Sequence, residues 1–159
     1  MKSTRYWLFK SEPDVYSIDD LQREKDGTTC WDGVRNYQAR NFLRDEVQPG
    51  DGVLFYHSST DPAGVAGTAV VTRSGYPDHT QFEAGHPHFD PGAAQDSPRW
   101  FMVDISFVRR FNPLITLRQI RTQAALKDMS LLQKGSRLSI QPVTEKEWRC
   151  ILEMAGSSR

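Results

Sequence analysis

Cysteine is scarce in this sequence: Cys30 and Cys150 are the only two among 159 residues, and they lie far apart. That excludes a disulfide framework and zinc-finger spacing, and it suits a reducing interior. An excess of either charge is missing as well, because 20 Lys and Arg balance 20 Asp and Glu. A chain of zero net charge does not coat nucleic acid by bulk attraction. Any such contact has to be local, such as one nucleotide in a pocket with a basic rim. Long apolar runs are also absent. The opening stretch MKSTRYWLFKSEPD has four apolar residues in a row before Lys10, which makes neither a signal peptide nor a membrane span. No phosphate-binding glycine loop, dinucleotide fingerprint or acidic metal-binding pair occurs, and no internal repeat or low-complexity tract. The length fits a single domain over residues 1–159.

Against these absences, residues 30–44 (CWDGVRNYQARNFLR) concentrate chemistry: a Trp, an acid, a Gly bend, three Arg and several amides. Asn36 is the predicted cap of a short helix. Ala39, Phe42, Leu43 and Val47 then fall on one face, with Arg40 and Arg44 on another. The loop Trp31-Asp32-Gly33-Val34-Arg35 therefore runs into a helix N-terminus, whose free N–H groups and partial positive charge suit an anion. A base can stack on Trp31, an amine can bond to Asp32, and a phosphate can meet Arg35 and the helix end.

The remaining pattern is mostly strands. Residues 5–10 predict a first strand, with Trp7 and Phe9 on one face and Tyr6 and Leu8 on the other, ending at Ser11-Glu12-Pro13. Ser17 caps a helix from Ile18 to about Glu24, and residues 28–31 form a brief strand. Residues 53–57 and 65–72 pair as a hairpin, in which Gly67 marks a bulge or a close backbone approach. Residues 75–98, with four Pro and three Gly, read as a long irregular loop. Residues 100–108 alternate as a strand closed by Arg109-Arg110. Thr116 opens a helix through a capping box, and residues 124–133 hold a further helical turn. Residues 137–141 form a last strand stopped by Pro142. Thr144 then caps a final helix with Trp148, Ile151, Leu152 and Ala155 as its packing stripe. Strands without regular β–α alternation give an α+β class, with a small, strongly curved sheet or barrel surrounded by short helices.

Three constellations can be weighed. Cys30 with His57 as base makes a nucleophile conceivable, but a Cys between Thr29 and Trp31 is more simply a small buried residue. Asp78, His79, His86, His88 and Asp90 carry metal-ligand chemistry, yet Pro87 and the loop context favour plain surface histidines, so no metal and no cofactor is expected. Binding fares better. Lys10-Ser11-Glu12, Trp31-Asp32 with Arg35-Asn36, and Tyr56-His57-Ser58 all sit where strands become loops. Together they offer an aromatic face with paired donors and acceptors, which suits an extruded base. Tyr76, His79 and Phe82 can close such a pocket from the long loop.

The segments YWLFKSEP (6–13), CWDGVRNYQARNFLR (30–44), FYHS (55–58), YPDHTQFE (76–83) and RLSIQP (137–142) resemble the EVE-domain family over nearly the whole chain. The resemblance implies a PUA-like bent β-barrel, distantly similar to the YTH readers of methylated adenine. It also implies a non-catalytic binder of a modified base, 5-methylcytosine or its oxidised forms in DNA, or a modified base in RNA. By motif, Trp31 stands where the related readers have a cage wall. Ser11, following Lys10, stands where those readers set a strand-end side chain or backbone against the base edge, and Asp32 could accept from an exocyclic amine. Arg35 and Asn36 face sugar-phosphate or base, and Tyr56, His57 and Ser58 match the second strand end. The second cage aromatic would be Tyr76 or Phe82. Glu12 and Val34 complete the set of candidate base-binding residues. An intracellular monomer is expected, cytoplasmic if bacterial and nuclear if eukaryotic. An enzyme using Cys30 and His57, or a protein-interaction adaptor, remain the alternatives.

Overall fold

A computed structural model describes residues 3–135 and 137–156; Met1 and Lys2 of the N-terminal stretch discussed above lie outside these. The elements are β1 (Tyr6–Ser11), α1 (Ile18–Arg23), β2 (Thr28–Cys30), α2 (Tyr37–Asp45), β3 (Gly52–His57), β4 (Gly64–Pro77), β5 (Phe101–Thr116), α3 (Leu117–Arg121), β6 (Ile140–Val143) and α4 (Glu145–Met154). They form an α+β fold on one six-stranded mixed sheet of order β2-β5-β4-β3-β1-β6. β1 runs parallel to β3 and antiparallel to β6, so it is interior, as its two apolar faces require. The short strands β2 and β6 stand at the edges. Closure of the sheet into a barrel is not among the described pairings.

Local chemistry starts the helices where expected. Ser17, Thr116 and Thr144 each form a capping box, and Asn36 Oδ1 accepts from Ala39 N–H at 3.0 Å. Residues 124–133 contain two 3-10 turns, Ala124–Leu126 and Ser130–Leu132.

Three strands differ from their expected spans. β4 continues past Thr72 to Pro77, because Gly75 lets it pass beneath α2. A Cβ there would lie 2.4 Å from the Leu43 carbonyl oxygen. The irregular loop is shortened accordingly and begins at Asp78. β5 is not closed by Arg109-Arg110 but runs to Thr116. Those arginines pair with Thr68 and Gly67, and residues 111–114 stand opposite the single β4 residue Ala66, an excursion that accommodates Pro113. β6 passes through Pro142 rather than stopping there, since an edge strand leaves one side unpaired and tolerates a residue with no N–H. Gly67 does mark a bulge: a Cβ would lie 2.2 Å from the Arg109 carbonyl oxygen. Four register shifts interrupt the pairing of β4 with β5.

The sheet buries two cores. On one face lie Trp7, Phe9, Trp31, Val53, Phe55 and Ile105, with Ala39 and Leu43 of α2. On the other lie Leu8, Leu54, Tyr56, Ile115, Ile120, Met129 and Ile151. Trp148 of α4 stacks on Tyr6 at 4.6 Å over Gly52.

Candidate functional site

The end of β1, the turn after it and the loop after β2 surround a cavity of about 460 Å³, in the range of small-molecule sites. Its lining includes Lys10, Ser11, Tyr16, Trp31, Asp32, Val34, Arg35 and His88. The floor is aromatic. Trp31 is only 7% exposed; Phe9 and Phe55 each lie 5.4 Å from its ring and Tyr16 meets it edge-on at 6.2 Å. Tyr16 is placed by local bonds. Ser11 Oγ donates to its carbonyl at 2.6 Å, and its hydroxyl donates to Glu24 at 2.7 Å. Burial and the Glu24 carboxylate push its phenol pKa well up.

The polar rim divides into engaged and unengaged groups. Lys10 and Asp32 are both lining residues, and among the described residues neither the Lys10 ammonium nor the Asp32 carboxylate has a hydrogen-bond or ion-pair partner. Burial lowers the Lys10 pKa. Arg35 is the opposite case. Its guanidinium donates to the Asp78 carboxylate at 3.0 Å, to Thr80 Oγ1 at 3.1 Å, to the Val34 carbonyl at 3.1 Å, and twice to the His88 carbonyl. All five of its N–H groups are thus used inside the protein, so Arg35 holds the site's wall and has none left for a phosphate. Asp78 is fully buried and also accepts from Gly33 N–H and from the Thr80 N–H and hydroxyl. Burial alone would raise its pKa; the bonds from Thr80, Gly33 and Arg35 outweigh that and hold it below the carboxylate range. Gly33, at φ +81°, lets the His88 ring lie on its backbone, where a Cβ would come within 2.4 Å of the ring.

Of the candidates named from sequence, Lys10, Ser11, Trp31, Asp32, Val34 and Arg35 come together, and the others do not line the cavity. Glu12 is exposed, but its carbonyl accepts the Val15 and Tyr16 N–H groups and so shapes the turn. Asn36 is occupied by its capping bond. Tyr56 belongs to the core on the opposite face. His57 is buried against Phe55, and its Nε2 accepts from Ile18 N–H at 3.1 Å. Ser58 N–H donates to the Ser11 carbonyl. Tyr76 donates to Asp104 and lies under Arg73, and Phe82 ends a 3-10 turn. Tyr16 and His88 are the aromatic walls in their place. The signal for Tyr16 was its position just before the Ser17 cap, which turns it back toward the strand end; nothing local ties His88 to Gly33.

The long loop is tied down by polar bonds. Gln81 bridges its two ends, donating to the Asp78 and Trp100 carbonyls and accepting from the Arg99 and Trp100 N–H groups. Trp100 Nε1 donates to Asp90 at 2.7 Å. Asp78 and Asp90 are therefore structural acceptors, and no cluster of three or more His, Cys, Asp or Glu with a metal-holding arrangement occurs among the described residues.

The Cys30 thiol lines the cavity with its pKa raised by burial and by Asp32 and Asp104. Burial lowers the His57 pKa. A raised thiol and a histidine whose lone pair is taken make a poor nucleophile–base pair. No described helix is long and apolar enough to cross a membrane.

The chain is similar to proteins of known sequence and structure along nearly its whole length. Human thymocyte nuclear protein 1 is 45% identical over 166 residues, covering 94% of this chain and 73% of the relative. A solved structure from Leishmania major superposes with TM-score 0.91 at 45% identity, covering 97% of this chain and 96% of that one. Human THYN1, solved in complex with 5-methylcytosine-containing DNA, superposes with TM-score 0.90 at 42% identity, covering 98% of this chain and 100% of that one. The EVE domain matches residues 5–154, so this chain belongs to the EVE-domain family.

Proposed function

We propose that this chain is a non-catalytic module that takes one modified base of DNA, of the 5-methylcytosine class, into the cavity above Trp31. The observation that carries the reading is the lining itself. Aromatic residues Tyr16 and Trp31 stand with Asp32 and Lys10, whose carboxylate and ammonium are unengaged among the described residues. A cytosine edge offers the complementary pair, an exocyclic amine that donates and a ring carbonyl that accepts. The human relative solved with 5-methylcytosine-containing DNA supports the choice of ligand. The zero net charge supports recognition through one pocket rather than through the phosphate backbone. The reading carries with it a PUA-like bent barrel, supported by the four register shifts between β4 and β5, and a monomer that works inside the cell.

The test is binding to short oligonucleotides holding cytosine, 5-methylcytosine, 5-hydroxymethylcytosine or N6-methyladenine, in DNA and in RNA, at two salt concentrations. 5-Methylcytosine in DNA should bind above its parent at both salts. Asp32→Ala should lower that affinity by about tenfold, the order of one lost base-edge bond. Equal binding of all probes, released together at the higher salt, would sink the reading.

A further inference from the structure

The cavity is reached past a turn whose tip is out of character. Large apolar side chains are exposed at four described positions, Val15, Tyr37, Phe89 and Val108, and Val15 is the most exposed at 76%. Of the four, Val15 alone lines the cavity. It rides on a turn fixed from several directions. Its own N–H and that of Tyr16 both donate to the Glu12 carbonyl at 2.9 Å. Ser11 Oγ holds the Tyr16 carbonyl, and Pro13 restricts the backbone before the tip. Beyond the tip, Ser17 and Asp20 close the cap of α1. An aliphatic group is thus presented to solvent on a rigid mount, at the mouth of the one cavity that the base-binding reading uses.

We infer that Val15 is a wedge that enters a DNA duplex and takes the place of the base drawn into the cavity. This rests on the base-binding reading. A base inside the cavity cannot at the same time be paired and stacked, so a duplex ligand must be opened. The opened step loses stacking, and proteins that distort DNA offset this by inserting an apolar side chain between bases. Val15 has the right chemistry and position, and its mount needs no ordering on binding. Glu12 and Asp14 flank it, so the tip offers a phosphate no cation and its apolar group is what it can offer to DNA. The β-branched side chain is short, which limits the wedge to the space of the displaced base.

The experiment compares wild type, Val15→Ser and Val15→Leu on two probes: a single strand carrying one 5-methylcytosine, and the same strand in a fully paired duplex with 2-aminopurine next to the modified position. Wild type should raise the 2-aminopurine fluorescence on binding the duplex. Val15→Ser should lower the ratio of duplex to single-strand affinity by about tenfold or more, since the opened step then goes unfilled, and should lose the fluorescence rise; Val15→Leu should keep both. An unchanged ratio for Val15→Ser, with single-strand binding still dependent on the methyl group, would overturn the wedge alone. Binding of the wild type that ignores the methyl group on both probes would overturn the base-binding reading and the wedge with it.

Discussion

Leu8 and Phe9 are consecutive, both fully buried, and they face opposite sides of one sheet. On the Leu8 side, Leu54, Ile120, Leu126, Met129 and Ile151 close over one another, and Trp148 stacks on Tyr6. On the Phe9 side, Trp31 and Phe55 begin a similar core, but it gives way outward to Thr29, Cys30 and Asp32 around an open space. Helix α4 and apolar area cover the first side. The second side is bounded partly by loops, and these are held by hydrogen bonds that converge on Asp78 and Gln81. The difference has a physical cause. A wall built from apolar area closes on itself, whereas a buried polar network can brace a wall at fixed distance and leave the space empty.

The contrast should break most severely at Asp78. Asp78→Asn removes the acceptor charge from Arg35 and unbalances the bonds from Gly33 and Thr80. It should cost about 3–5 kcal/mol in urea unfolding and abolish binding of 5-methylcytosine DNA. A variant as stable as wild type would show that the network does not hold the wall. Leu54→Ala, on the closed side, should cost about 2–5 kcal/mol. It should leave affinity per folded molecule within about twofold, since independent sites do not couple; a lost ligand site would mean that the two faces are not separable. The smallest effect is in acid. The Asp78 carboxyl titrates below its ordinary value of 3.8 when folded. The stability this gives is complete above that value and is lost as pH falls through the folded pKa. The stability gap between wild type and Asp78→Asn should therefore narrow as pH is lowered from about 5 toward 3. A constant gap would place the network's worth in something other than the Asp78 charge.

What the sequence revealed, and what it hid, follows the range of the interactions. The caps at Ser17, Asn36, Thr116 and Thr144 depend on residues three positions away, and each is where its pattern put it. The ends of β5 and β6 were hidden because the Arg109-Arg110 pair and Pro142 look like stops, while cross-strand partners override them. At the site, the strand-end motifs brought Lys10 and Ser11 to Trp31 and Asp32. Arg35, read as facing sugar-phosphate or base, gave no sign of its internal bonds, because nothing near it in the sequence announces that Asp78, Thr80 and His88 will use its donors.

The cavity's lining begins at Lys10 and ends at Ser139, and the Lys10 N–H is bonded to the Ser139 carbonyl at 2.8 Å. Its wall is therefore made from the first strand and from the chain just before the last one. No partial unfolding that parts these two segments can spare the binding site, so a ligand there acts as a clasp on the whole domain. At a free concentration one hundred times its dissociation constant it adds about 2.7 kcal/mol to the unfolding free energy. Heat denaturation in the presence of candidate nucleosides and oligonucleotides thus becomes an assay of recognition, with the melting temperature itself reporting which base the cavity accepts.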